Sequence, residues 1–136
     1  MRIVGIAAKV SNAEIDKIGR LWGEFYQSNI LEKLGSNVVS DEVISVYTDY
    51  EGDHNAPYTL LIGYEVLDPY NCPDNLAERT IDGFFEKFIV KGELPKSVIE
   101  QWSKIWADTS KKRAYIADFD RYKNDGSVEI NVEYIS

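Results

Sequence analysis

One cysteine, one histidine and fifteen basic residues set against twenty-three acidic ones narrow the chemistry open to this 136-residue chain. Cys72 has no partner, so an internal disulfide is excluded and a reducing cytoplasm is the expected setting. It also has no histidine near it in sequence, and no thiol nucleophile is read there. Glu51, Asp53 and His54 sit together in one loop, but without a second histidine they do not amount to a zinc site. No metal and no cofactor is expected. The formal charge of −8 excludes direct nucleic-acid binding through phosphates, which needs a surplus of Lys and Arg. Apolar runs never approach the roughly 20 residues that cross a bilayer, and no membrane association is read. The opening MRIVGIAAKV has no small-residue cleavage site after it and reads as a first strand, not a signal peptide.

Aromatic residues are what the chain does have: nine Tyr, five Phe and three Trp. Tyrosine joins a flat apolar face to a hydroxyl and suits a ligand-facing wall as well as a core. The hydrophobic pattern divides the chain into two similar halves. After the first strand, Ser11 and Glu14 have the spacing of a capping box. Ile15, Ile18, Trp22, Phe25 and Tyr26 then recur at helical spacing, with Gly35 as a stop. Gly19 and Gly23 weaken that helix and suggest close packing against it. EVISVYTDYE and YTLLIGYEV, joined by GDHNAP, read as a hairpin. In the second half, AERTIDGFFEKFIVKG contains a strand, Pro95 opens a helix, and Val98, Trp102, Ile105 and Trp106 form its stripe. RAYIADFDRYK and VEINVEYIS then flank an NDG turn. Tyr47 and Tyr50 align with Phe119 and Tyr122 between the two hairpins.

The fold class expected is α+β: two βαββ pseudo-repeats forming one curved, mainly antiparallel sheet, both helices on one face and a ligand groove on the other. A single domain spans 1–136, with repeat one over about 1–66, a linker over 67–76 and repeat two over about 77–136. Alternation puts Ala117 and Phe119 on one side of their strand, taken as the helix side because it is apolar. Asp118, Asp120 and Tyr122 then fall on the open face, with Glu129, Asn131 and Glu133 of the last strand. Thr48, Tyr50, Leu61, Gly63 and Glu65 of the first hairpin join them there.

The run VYTDYEGDHNAPYTLLIGYEV, the segment ERTIDGFFEKFIVKG with IEQWSKIW, and RAYIADFDRY before VEINV together resemble the GyrI-like effector-binding domains of AraC-type bacterial transcription activators. The resemblance is greatest to the stand-alone, integron-cassette-type members and covers nearly the whole chain. It implies a groove at the junction of the repeats that binds cationic, amphipathic or aromatic compounds, with an acid inside an aromatic cage. The family pattern Asp-Phe-Glu-x-Tyr corresponds to Asp118, Phe119, Asp120, Arg121 and Tyr122 here, so Asp120 stands one methylene short of the usual glutamate. Glu133 or Glu129 is the acid that could compensate. The ligand-binding set is therefore Asp120, Tyr122, Tyr50, Trp102, Trp106, Trp22, Gly63 and Glu133.

Three roles are compatible with these residues. The first is a small-molecule binder, a multidrug-type sensor or sequestering protein without a DNA-binding unit, since the first strand begins right after Met1. The second is a GyrI-like hydrolase of strained electrophiles, with Asp120 as general acid or base beside Tyr122. The third is a protein inhibitor acting through a protein partner. A binder and not an enzyme is the leading reading.

Overall fold

The computed structural model describes residues 1–135; Ser136, the end of the second repeat as drawn from sequence, lies outside the described residues. Seven strands run antiparallel to their neighbours: β1 (Arg2–Val10), β2 (Val43–Thr48), β3 (Tyr58–Glu65), β4 (Ala77–Thr80), β5 (Phe85–Val90), β6 (Ala117–Tyr122) and β7 (Val128–Glu133). Their order across the sheet is β4-β1-β3-β2-β6-β7-β5. The halves meet where β2 pairs with β6, placing Ser45 opposite Asp120 and Tyr47 opposite Asp118. Each half is therefore a βαββ unit, as the pattern predicts, with β4 added to the first unit's outer edge.

Three helices cover one face: α1 (Ile15–Gln27), the short α2 (Ile30–Leu34) and α3 (Lys96–Ala107). Helix α1 begins one residue after Glu14, whose N–H donates to the Ser11 carbonyl (2.9 Å) while its carboxylate pairs with Lys17. The pair thus makes a turn, with no side-chain hydrogen bond at the helix cap. The helical stretch is broken at Asn29, in the left-handed region at φ 50°, before Gly35 ends it at φ 57°. Leu21 and Phe25 of α1 pack with Val4, Val10, Leu60 and Ile62 of β1 and β3. Val98, Trp102 and Ile105 of α3 pack with Val128, Ile130 and Val132 of β7. Ile15 and Tyr26, on the same predicted stripe, stand out in solvent.

The helix-free face is not open. β4 and β5 are the two outer strands, yet only residues 81–84 separate them in the chain. Seven flat strands would measure about 29 Å from edge to edge. The five steps from Thr80 to Phe85 reach at most about 18 Å. The sheet must curl until its edges approach, and the helix-free side is the inside of the curl. Ile3, Ile44, Val46, Leu61, Ile81 and Phe119 fill that hollow as a buried core, with Phe85 edge-on to Phe119 at 5.2 Å. The Ile81 N–H donates to the Met1 carbonyl (2.7 Å) and fastens the curl.

This second core fills the face on which the ligand groove was expected, and it reverses the expected sides of β6. Ala117 and Phe119 are apolar because they fill the curl, so Asp118, Asp120 and Tyr122 point to the helix side. A strand with a core on each side offers no simple rule for which apolar set faces the helices. Glu129, Asn131 and Glu133 do lie on the helix-free side, but without Asp120, which pairs with Ile130. The alignment of Tyr47 with Phe119 is out by one residue, and a one-residue slip reverses every side chain.

Gly63 has a structural reason of its own. It faces Gly5 across β1 and β3, where a Cβ on Gly63 would sit 2.0 Å from the Val4 carbonyl oxygen. Gly19, by contrast, would meet nothing within 4 Å, and nor would Gly23; close packing is not why α1 contains them. Gly63→Ala is expected to cost about 3 kcal/mol or more, since the obstructing atoms are backbone. Gly19→Ala should stabilise by up to about 1 kcal/mol through helix propensity. Urea titration of the two variants checks both signs.

Candidate functional site

Helix α1 lies over β1 and β3, and α3 lies toward β5 and β7, so the central strands β2 and β6 are left without a helix above them. The gap is a cleft of about 370 Å³ on the helix-bearing face, between the helices. Ile18, Gly19 and Trp22 of α1 form one wall, and Val98, Trp102 and Trp106 of α3 form the other. Tyr47, Tyr58, Leu60 and Tyr122 form the floor. The loop between β2 and β3 supplies Tyr50 and His54. The bare position at Gly19 widens the space between the helices. At the mouth, Ile15 and Ile99 are 75% and 58% exposed, joined by Leu94.

The rings touch across the cleft. Trp22 meets Tyr122 edge-on at 5.5 Å, and Trp102 meets Tyr47 edge-on at 5.3 Å. His54 stacks on Trp106, with the planes 5° apart and the centroids 5.2 Å apart. Asn12, in the turn before α1, fastens the loop that carries His54: its Nδ2 donates to the His54 carbonyl (2.7 Å), and its Oδ1 accepts from the Tyr58 hydroxyl (2.8 Å).

Two aspartates lie beneath this lining, and both are fully buried. Asp118 is compensated. Its Oδ2 accepts from Arg113 Nη2 and the Tyr50 hydroxyl, each at 2.6 Å, and its Oδ1 accepts the Glu133 backbone N–H at 3.0 Å. Asp120 has hydrogen bonds but no cation. Its Oδ2 accepts from the Tyr47 hydroxyl at 2.5 Å, and Trp102 Nε1 donates to Oδ1 at 3.2 Å. Among the described residues no Lys, Arg or His pairs with it. Burial therefore pushes its pKa up to about 7, against the pull of the Tyr47 and Trp102 hydrogen bonds. Burial, with the Asp120 charge adding to it, likewise raises the phenols of Tyr47, Tyr58 and Tyr122, which stay protonated.

Of the residues singled out in the sequence, Tyr50, Tyr122, Trp22, Trp102 and Trp106 line the cleft. Asp120 lies one layer below, behind Tyr47 and Trp102. Gly63 and Glu133 lie elsewhere. Gly63 sits at the β1–β3 crossing, and the Glu133 carboxylate lies over Gly83 on the helix-free side. Glu133 and Glu129 thus cannot substitute for Asp120. Tyr47, Tyr58, His54, Asn12 and Arg113 were not singled out as site residues. For Arg113 a signal existed: a cation five residues ahead of a strand aspartate is a natural counter-ion. Among the described residues, no cluster of three or more His, Cys, Asp or Glu side chains is placed to hold a metal ion. No helix there is long and apolar enough to cross a membrane.

The fold is thus a curled antiparallel sheet with a cleft between two helices on its outer face. The solved structure of integron cassette protein VCH_CASS2, from the mobile metagenome of Vibrio cholerae, superposes with a TM-score of 0.81 at 28% identity, covering 99% of this chain and 90% of that one. A Staphylococcus aureus MU50 protein, provisionally described as a bacterial transcription regulation protein, shares the fold at a TM-score of 0.72 and 14% identity, over 100% of this chain and 93% of its own. YobU of Bacillus subtilis strain 168, provisionally named a transcriptional regulator protein, is 26% identical over 138 residues, covering 93% of this chain and 84% of YobU. Residues 1–135 match the Cass2 family of integron-associated effector binding proteins, and the chain belongs to that family.

The raised pKa of Asp120 fixes a sign for stability. A carboxyl whose folded pKa lies above its unfolded value of about 3.9 favours the fold while it is protonated, and that contribution is lost as pH rises toward about 7. Asp120→Asn keeps an acceptor for Tyr47 and Trp102 and removes the charge. Its stability should fall less than that of the native chain between pH 4 and 7.5, as read by urea midpoints at each pH.

Proposed function

We propose that this protein is a small-molecule binder that takes cationic, amphipathic or aromatic compounds into the cleft between α1 and α3 and acts as a ligand sensor or sequestering protein. The observation that carries the reading is Asp120: a fully buried carboxyl, without a cationic partner among the described residues, beneath a floor of aromatic rings. A delocalised organic cation is weakly hydrated and enters an apolar cleft at low cost. Each well-placed ring face then adds roughly 0.5–2 kcal/mol, and buried apolar area adds about 25 cal/mol per Å². Asp120, once ionised, supplies the attraction that distinguishes a cation from a neutral molecule of the same shape. At about 7 Å and an effective dielectric constant of about 20, that attraction is worth about 2 kcal/mol.

Edge-on and tilted contacts among Tyr47, Tyr58, Trp102 and Trp106 leave ring faces at several angles. Such a lining accepts planar bodies of different outline, which suits broad selectivity. Hydrolysis is less well supported. The Asp120 carboxyl has a pKa suited to acid–base work, but Tyr47 and Trp102 stand between it and the cleft, so neither oxygen is presented to a substrate.

Quenching of tryptophan fluorescence by a rhodamine-type cation measures binding directly, because all three tryptophans line the cleft. Asp120→Asn should weaken binding by roughly thirtyfold. The native affinity should fall as pH drops below about 7, where Asp120 takes up its proton, while the variant should show no such slope. Equal affinity of the two proteins at pH 8 would remove Asp120 from recognition.

A further inference from the structure

Helix α1 carries Gly19 in its second turn, where glycine weakens a helix more than any residue except proline. The two ordinary reasons for such a glycine are absent. Gly19 is not among the glycines of positive φ, which are Gly35, Gly83, Gly92 and Gly126. Nor does anything press against it, since a Cβ built there would meet no atom within 4 Å. Gly5 and Gly63 differ in this respect, because each faces strand backbone that leaves no room for a side chain. What Gly19 does border is the cleft.

Its place in the cleft wall follows from helical spacing. Ile15, Ile18 and Trp22 of the same helix also line the cleft, while Leu21 and Phe25 are buried against the sheet. At about 100° per residue, Gly19 lies on the side of the lining stripe away from that buried pair, beside Ile15 one turn before it. That side is the mouth. Leu94 and Ile99 stand on the α3 side of the same mouth, and like Ile15 they are large apolar side chains left in water. Exposed apolar groups gathered at one opening mark a surface that a ligand completes. Any side chain at position 19 would project into the gap they surround.

We infer that Gly19 sets the breadth of ligand the cleft accepts, its bare backbone letting the outer edge of a flat polycyclic cation pass between the helices and cover Ile15, Leu94 and Ile99. This rests on the binding role proposed above and narrows the ligand class. The inner edge of the molecule lies on Tyr47 and Trp102, above Asp120. The walls are one helix thick, about 10 Å with side chains, so the row of fused rings that reaches from floor to lip is three rather than two. A smaller cation sits below the mouth and leaves the lip in water. The fold alone would be steadier with alanine at 19, and it is the ligand's outer ring that gives the glycine its use.

Two cations of one series separate the possibilities: N-methylacridinium, with three fused rings, and N-methylquinolinium, with two. Both are followed by tryptophan quenching in the native chain, Gly19→Ala, Gly19→Leu and Gly23→Leu. Gly23 is one turn further along α1, equally free of neighbours but outside the cleft lining, and serves as the control. Urea midpoints of all three variants should equal or exceed the native value, because Ala and Leu are better helix formers than Gly. A loss of binding is then not a loss of fold. Native protein should favour acridinium by about tenfold, the effect of burying four more ring carbons. In Gly19→Leu that preference should shrink to within about threefold, with quinolinium affinity little changed, and Gly19→Ala should fall between; Gly23→Leu should keep the native preference. Equal affinity of the native protein for the two cations overturns the role of Gly19 and leaves the cleft a binder of smaller cations. So does a preference that survives in Gly19→Leu, or one lost equally in Gly23→Leu. Absence of binding of either cation by the native protein overturns the binding role itself.

Discussion

The short connection between the two outer strands governs the rest of the molecule. With only residues 81–84 between β4 and β5, a flat seven-stranded sheet cannot exist. Curling the sheet turns its helix-free side into an enclosed core of Ile3, Ile44, Val46, Leu61 and Phe119. The helices must then sit on the outside of the curve, over the outer strands of each half, and they cannot meet above the middle. The cleft follows from that geometry. It exists because β2 and β6, where the two halves join, lie at the crest of the curve with no helix directly above them, only side chains that reach in from either side.

The same arrangement explains why two aspartates are tolerated in a strand as central as β6. Each is buried, and each solves the problem differently. Asp118 is matched by Arg113, Tyr50 and a backbone N–H from the strand next to it. Among the described residues Asp120 receives only neutral donors, Tyr47 and Trp102, so its ionised form is left with charge to spare at the base of the cleft. A fully matched carboxylate would be inert toward a ligand, and an unmatched one without hydrogen bonds would stay protonated well above neutrality. Asp120 lies between these limits.

Much of the architecture was legible in the sequence. Helical spacing of Trp22 and Phe25, and of Trp102 and Ile105, located the packing stripes, and Asp125-Gly126 located the last hairpin turn. The aromatic walls at Trp22, Trp102, Trp106, Tyr50 and Tyr122 could also be chosen in advance. The side on which β6 shows its acids was misjudged, because alternation reports two faces and does not say which is which when both are buried. Ala117 and Phe119 look like residues facing helices, yet they face the inside of the curl. Tyr47 was hidden by the same one-residue ambiguity. Gly63 looked like room for a ligand, but it answers to a backbone crossing at Gly5. His54 owes its place to the Asn12 clasp, a contact 42 residues apart in sequence that no local pattern announces.

The greasy lip formed by Ile15, Leu94 and Ile99 has a further consequence for how these molecules meet one another. Two such lips brought face to face would exclude water, a drive toward sticking. A formal charge of −8 on each chain opposes that encounter. The repulsion fades beyond a Debye length of about 8 Å at physiological ionic strength, so it acts only in the final approach. The surplus of acid thus acts as a colloidal guard against the meeting of two such lips.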